Sequence, residues 1–222
     1  MQLVILALVT ALLYSGVAEA SDQSEPKGVR GFVGIYGGVA FPDSLSNFTQ
    51  PSGSATVHLT DLKLQTGPMV GMKLGLWGSE RDTMARWFGV ELDGSYTQTK
   101  IKEQPATISV GSFRLSGLID ETRVKLMTGA VHLLVRFPQG PIQPYVGAGP
   151  AIVYARVSDS YSFNAGNSTT LGLSAVGGVR VVFTDNFGAF LEYKHIRSEL
   201  EFDPGTADLV VHAGVGGLNI MF

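Results

Sequence analysis

Apolar and polar positions alternate with period 2 through most of the chain, and the alternation is cleanest at its end. From Asp208 to Phe222, Val210, His212, Gly214, Gly216, Leu218, Ile220 and Phe222 form one face, which becomes bulky and apolar toward the terminus. Ala213, Val215, Gly217, Asn219 and Met221 form the other, smaller and mixed. Period 2 with two unlike faces is the signature of a β-strand. Chain ends usually fray, so an apolar face kept to the last residue implies an anchored terminus, as in the closing strand of a barrel.

Seven further segments read the same way. Gly31–Phe41 sets Val33, Ile35, Val39 and Phe41 against Gly34, Tyr36, Gly38 and Ala40, and Pro68–Trp77 sets Val70, Met72, Leu74 and Leu76 against Gly71, Lys73 and Gly75. Trp87–Lys100, Leu126–Phe137, Thr169–Phe183 and Phe187–Arg197 continue the pattern. Ile142–Arg156 alternates less clearly because Pro150 lies inside it. A proline removes one ladder donor, so a bulge is expected at Gly149 and Pro150.

The connections alternate too. Long links follow the first, third, fifth and seventh strands, and short ones, such as Ser79–Ala85, Pro138–Pro141 and Thr184–Asn186, follow the second, fourth and sixth. Within the long links, Thr56–Leu64 is expected to extend the following strand, and Thr107–Leu115 to form a protruding hairpin; Ser158–Ser168 reads as a polar loop. Eight strands with strictly alternating links predict an all-β, eight-stranded antiparallel up-and-down barrel with both termini on the short-turn side.

Composition decides which face is outside. Only 16% of residues are charged, against about a quarter in soluble domains. The polar faces are mostly Gly, Ser, Thr and Ala, which suit a narrow interior better than a hydrated exterior. The apolar faces end in aromatics, with Phe88, Phe137, Phe183, Phe187 and Phe222 near the short turns and Phe41, Tyr96, Tyr154 and Tyr193 near the long loops. Two girdles around an aliphatic band point to a transmembrane barrel with its apolar face outward. A secreted soluble β-domain is the alternative.

Leu3–Leu13 is apolar apart from Thr10, too short to span a bilayer, and Ala18-Glu19-Ala20 offers small residues for signal peptidase. Residues 1–20 therefore read as a signal peptide, 21–30 as a short periplasmic tether and 31–222 as the barrel domain. Met1 and Gln2 supply no Lys or Arg ahead of the apolar run, which leaves the start codon open. The chain contains no cysteine, which removes disulfide, thiolate-metal and thiol-nucleophile chemistry. A net charge of -3 gives no basic field for nucleic acid.

Gly31–Phe41, the GVELDGSY of Gly89–Tyr96, the PYVGAGP of Pro144–Pro150, the FLEYKH of Phe190–His195 and the strand ending in Phe222 resemble the bacterial outer-membrane β-barrel superfamily. That superfamily includes the OmpA transmembrane domain and the opacity-type, porin-like proteins. The resemblance implies an outer-membrane location, contact with lipid and lipopolysaccharide, and insertion by the barrel assembly machinery, with Phe222 as the terminal assembly signal.

The inward parity collects Lys73, Glu91, Asp93, His132, Arg136, Arg180, Glu192 and Lys194. Unpaired charges in a dry tube are costly, so these are expected to form a salt-bridged plug, with a gate or narrow ion path as the alternative. His195, Arg197 and His212 face outward near the loop end and are expected to contact a lipopolysaccharide head group, joined by Arg156 if the fifth strand turns its even residues outward; a generic interfacial girdle is the alternative. The resemblance also covers lipid A deacylases, which use a His-x-Ser-Asn context. Here His195-Ile196-Arg197-Ser198 puts the serine on the opposite face, so no catalytic site is assigned. The four histidines are scattered along the chain, and neither a metal nor a cofactor is expected. A structural or surface-interaction barrel, its Ser/Thr-rich outer loops open to surface ligands, is the leading expectation. A small-solute channel is the alternative.

Overall fold

The structure, a computed structural model, describes residues 28–43, 46–52, 55–59, 65–79, 82–101, 104–110, 113–119, 122–158, 167–202 and 205–222. The expected signal peptide lies outside them, as does most of the tether. The described residues form twelve strands: β1 (Arg30–Pro42), β2 (Ser46–Ser52), β3 (Ala55–Leu59), β4 (Gly67–Trp77), β5 (Phe88–Ile101), β6 (Gln104–Val110), β7 (Phe113–Ile119), β8 (Thr122–Arg136), β9 (Ile142–Ser158), β10 (Asn167–Val182), β11 (Phe187–Phe202) and β12 (Gly205–Met221). Strands β1, β4, β5 and β8–β12 pair antiparallel in chain order, and β1 pairs with β12 from Phe32↔Met221 to Pro42↔Val211, closing an eight-stranded barrel. Reciprocal hydrogen bonds between Gly31 and Phe222, at 2.8 and 3.0 Å, tie the terminus into that seam.

The remaining strands belong to the long links. Phe113–Ile119 pairs with Gln104–Val110 as the expected hairpin. Of Thr56–Leu64, expected to extend the next barrel strand, residues 60–64 lie outside the described residues, and Ala55–Leu59 instead folds back on Ser46–Ser52 in register Phe48↔Leu59 to Ser52↔Ala55. Period-2 residues identify a strand but not its partner, and here the nearest complement is local. The β2 strand then meets β12 at Thr206↔Thr49, and β3 meets β6, so this end of the wall continues into the loops.

Burial follows parity. Outward positions such as Ile35, Met72, Leu133, Leu173 and Leu191 are 54–71% exposed, while Tyr36, Lys73, His132, Ser174 and Glu192 on the opposite faces are buried. The fifth barrel strand, β9, turns its even residues outward throughout. Its register with β10 runs unbroken from Asn167↔Arg156 to Val181↔Ile142, and with β8 the same register holds on both sides of Gly149 and Pro150. The expected bulge is absent there. Only the pairings of Gly149 and Pro150 with β8 drop out. A Cβ on Gly149 would stand 1.8 Å from the Val131 carbonyl oxygen, so glycine lets the two backbones close without an inserted residue.

Short turns shape one end. Gly140 takes φ +75° between Pro138 and Pro141, a left-handed conformation that glycine adopts without Cβ strain. Between β4 and β5 the Asp82 carboxylate accepts hydrogen bonds from the Ala85 and Met84 amides at 3.1 and 2.8 Å, which hold its pKa below the usual carboxylate range and start the short 3-10 turn Ala85–Trp87.

The interior is layered. Phe32, Trp77, Leu134, Tyr145, Val176 and Met221 form an apolar cluster toward the short turns. Tyr36, Met69, Leu126, Val153, Phe190, Ile196, Leu209 and Val211 belong to a larger one toward the loops. Lys73 lies midway between Met69 and Trp77 on β4, and His132 lies between Leu126 and Leu134 on β8, so these two side chains sit between the two apolar layers.

Candidate functional site

Lys73, Lys194, Glu91, Asp93 and Glu192 meet across the lumen from β4, β5 and β11. The Lys73 ammonium is 2.7 Å from Glu192 Oε2 and 3.3 Å from Glu91 Oε2. Lys194 is 2.5 Å from Asp93 Oδ2 and 3.3 Å from Glu192 Oε1, so Glu192 bridges the two cations. Two tyrosines complete the set: Tyr145 donates to Glu192 Oε2 at 2.5 Å and Tyr36 to Asp93 Oδ1 at 2.9 Å. Lys73 also lies over the Phe190 ring at 3.9 Å, and Lys194 over the Tyr36 ring at 4.2 Å. His132 reaches Glu91 Oε1 at 3.3 Å through Nδ1 and the Ser174 hydroxyl at 2.9 Å through Nε2. Ion pairing in a low-dielectric layer offsets desolvation best when the remaining lone pairs and protons also find partners; the tyrosines and Ser174 supply several here, while Glu192 Oε1 has the Lys194 ion pair but no hydrogen bond.

Arg136 and Arg180 are placed differently from the lysines. Both guanidinium groups lie against Trp77, with their central carbons 4.5 and 5.3 Å from its ring centre, and both donate to Gln143 Oε1. Arg136 also donates to the Arg86 carbonyl at 2.9 Å, which anchors it to the short-turn end. A cavity of about 10 Å³, bordered by Phe32, Lys73, Trp77, Glu91, Tyr145, Arg180, Phe190 and Asn219, separates the lysine layer from this arginine layer. That is room for roughly one water molecule. Below it, an open vestibule of about 380 Å³ is lined by Arg30, Gln143, Arg180, Asp185 and Met221 among others.

Parity in the sequence identifies the charges; the aromatic and amide partners Tyr145, Gln143 and Trp77 are missed. The parity of β9 would have pointed Tyr145 and Gln143 inward, and Pro150 obscured it.

On the outside, the register sets His195 directly opposite His212. Their Nδ1 atoms are 3.4 Å apart, the Tyr193 hydroxyl is 2.5 Å from His212 Nδ1, and His212 Nε2 is 3.4 Å from Asp43 Oδ2. Arg197 is exposed two residues farther along β11. Arg156 also faces outward but does not join this group. Its partner on β10 is Asn167, six residues from Leu173, which faces Arg197. On its other side it stands opposite the equally exposed Lys125. Ser198 is buried with its hydroxyl 2.5 Å from that of Thr170, on the face opposite His195. Among the described residues, no group of three or more His, Asp or Glu side chains is placed to hold a metal.

A family model described as the outer membrane protein beta-barrel domain matches residues 5–222. Among solved structures, Neisserial surface protein A superposes with a TM-score of 0.53 at 18% identity, over 86% of this chain and 97% of that one. The outer membrane protein OprG from Pseudomonas aeruginosa superposes with a TM-score of 0.53 at 14% identity, over 90% of this chain and 98% of that one. At such identities the likeness is one of fold alone. A comparison with curated proteins finds no match.

Proposed function

The chain belongs to the outer membrane protein β-barrel domain family, and from that membership we propose that it is a non-conducting, non-enzymatic barrel with a structural or surface-interaction role. The observation that carries this reading is the packing of the described interior, where a bridged charge layer lies between two apolar clusters and the cavity beside it holds about 10 Å³. A hydrated ion crossing it would have to break the lysine–carboxylate contacts and enter apolar packing, at a cost of several kcal/mol. The test is conductance of the purified protein in a planar bilayer. No discrete channel steps are expected at moderate voltage; steady single-channel openings would establish the small-solute pore instead.

In this reading residues 1–20 direct export, and the terminal strand ending at the exposed Phe222 is what the assembly machinery engages. The outer loops would meet surface ligands. At the loop end of the lipid face, His195, Arg197 and His212 would contact a lipopolysaccharide head group, Arg197 supplying a guanidinium suited to phosphate. Cationic side chains are tolerated near a membrane interface but costly at the midplane, which favours this position. Native mass spectrometry tests it: the triple variant His195→Ala, Arg197→Ala, His212→Ala is expected to lose co-purified lipopolysaccharide that the wild type retains. Equal retention would refute the contact.

A further inference from the structure

We propose that His195 and His212 form a binding site for a divalent transition-metal ion, with tetrahedral Zn²⁺ as the ion they fit best. Two metal–nitrogen bonds of about 2.1 Å opened to the tetrahedral angle place their nitrogens about 3.4 Å apart. The two Nδ1 atoms here are separated by 3.4 Å. The rings are tilted by 48° rather than stacked, so their proximity is not a face-to-face apolar contact.

The proton arrangement suits ligation. Asp43 Oδ2 lies 3.4 Å from His212 Nε2, and a carboxylate at that distance favours the proton on Nε2, which leaves the lone pair on Nδ1, the atom that faces His195 and Tyr193. A carboxylate on the far nitrogen is the usual second partner of a metal-binding imidazole, fixing its tautomer and raising its basicity. The metal-free pair is held by the Tyr193 hydroxyl donating to the same Nδ1, and an entering ion would displace that hydrogen bond.

The frame is rigid for a surface site. Both histidines sit in regular strands, directly opposite one another in a ladder that runs from Phe187↔Ile220 to Phe202↔Gly205. The His212 side chain keeps 29% of its surface exposed, so water can fill the remaining positions. Two imidazoles with water and a neighbouring phenol suit borderline ions such as Zn²⁺, Cu²⁺ or Ni²⁺ and disfavour Mg²⁺ and Ca²⁺, which require oxygen cages. With only two strong donors, binding should be modest and reversible. The sequence hides the pairing because seventeen positions separate the two histidines, and only the β11–β12 register brings them face to face.

The test is calorimetric titration of the full barrel, purified in detergent and stripped with chelator, with zinc chloride in a non-coordinating buffer. The wild type is expected to bind one Zn²⁺ per chain. His195→Asn and His212→Asn, both on the outer surface, should each weaken binding at least tenfold while still migrating as folded barrels on unboiled gels. Excess Mg²⁺ should not compete. Absence of saturable zinc binding by the wild type, undiminished affinity in both variants, or displacement by Mg²⁺ would each overturn the site.

Discussion

Glu192→Ala is expected to destabilise the folded barrel by on the order of 3 kcal/mol, because it removes the carboxylate that both lumen lysines share. Lys73 would lose its 2.7 Å partner and Lys194 its 3.3 Å one, and the Tyr145 hydroxyl would lose its acceptor, all inside a layer without bulk water. Glu91 remains to Lys73 and Asp93 to Lys194, so the loss should fall short of complete unfolding. Replacing Lys73 by Met in the same chain removes one of the stranded cations, and the double variant should recover part of the loss, a positive coupling between contacting sites. Urea unfolding in lipid vesicles reads both. An unchanged midpoint for Glu192→Ala would mean that the lumen charges are hydrated and independent, and would count equally against the proposed plug.

Gly217→Val is expected to prevent barrel closure, whereas Gly214→Val, three residues earlier on the same strand, should be tolerated. Gly217 faces inward at the seam opposite Tyr36 and Phe190. A Cβ there would stand 2.2 Å from the Ile35 carbonyl oxygen, 2.6 Å from the Phe190 ring and 2.8 Å from Tyr36 Cβ, with backbone on one side and locked aromatics on the other. Overpacking of this kind typically costs about 1–3 kcal/mol, and more where the obstructing atoms are backbone that cannot move. Gly214 faces outward with nothing within 4 Å of its missing Cβ. Gels run with and without boiling separate the two. Gly214→Val should keep the shifted folded band and Gly217→Val should lose it; equal folding of both variants would show that the seam tolerates bulk.

The zinc and lipid contacts proposed for the outer rim rest on the same strand pairing as these interior effects. The β11–β12 ladder places His195 against His212 outside and sets Gly217 beside Phe190 inside. A one-residue slip would exchange both faces, so the rim and the plug stand or fall with one register.

Side-chain alternation was enough to define the wall. Period 2 is a local property, and together with alternating link lengths it determined eight antiparallel strands, the outward apolar band, and the inward parity of Lys73, Glu91, Asp93, His132, Arg136, Arg180, Glu192 and Lys194. What the chain alone left undecided are relations across the lumen and between loops. Whether Glu192 meets Lys73 or Arg180 depends on how strands at opposite sides of the tube are staggered, and no local pattern carries that information. The structure gives Glu192 to the two lysines and gathers Arg136 and Arg180 on Trp77 and Gln143. The fold-back of Ala55–Leu59 on Ser46–Ser52 and the unbulged passage of Pro150 were likewise settled by which backbone lay within hydrogen-bonding reach. Residue type fixes which face a side chain takes along its own strand. Only closure of the sheet fixes which side chains from distant strands share the same level of the interior.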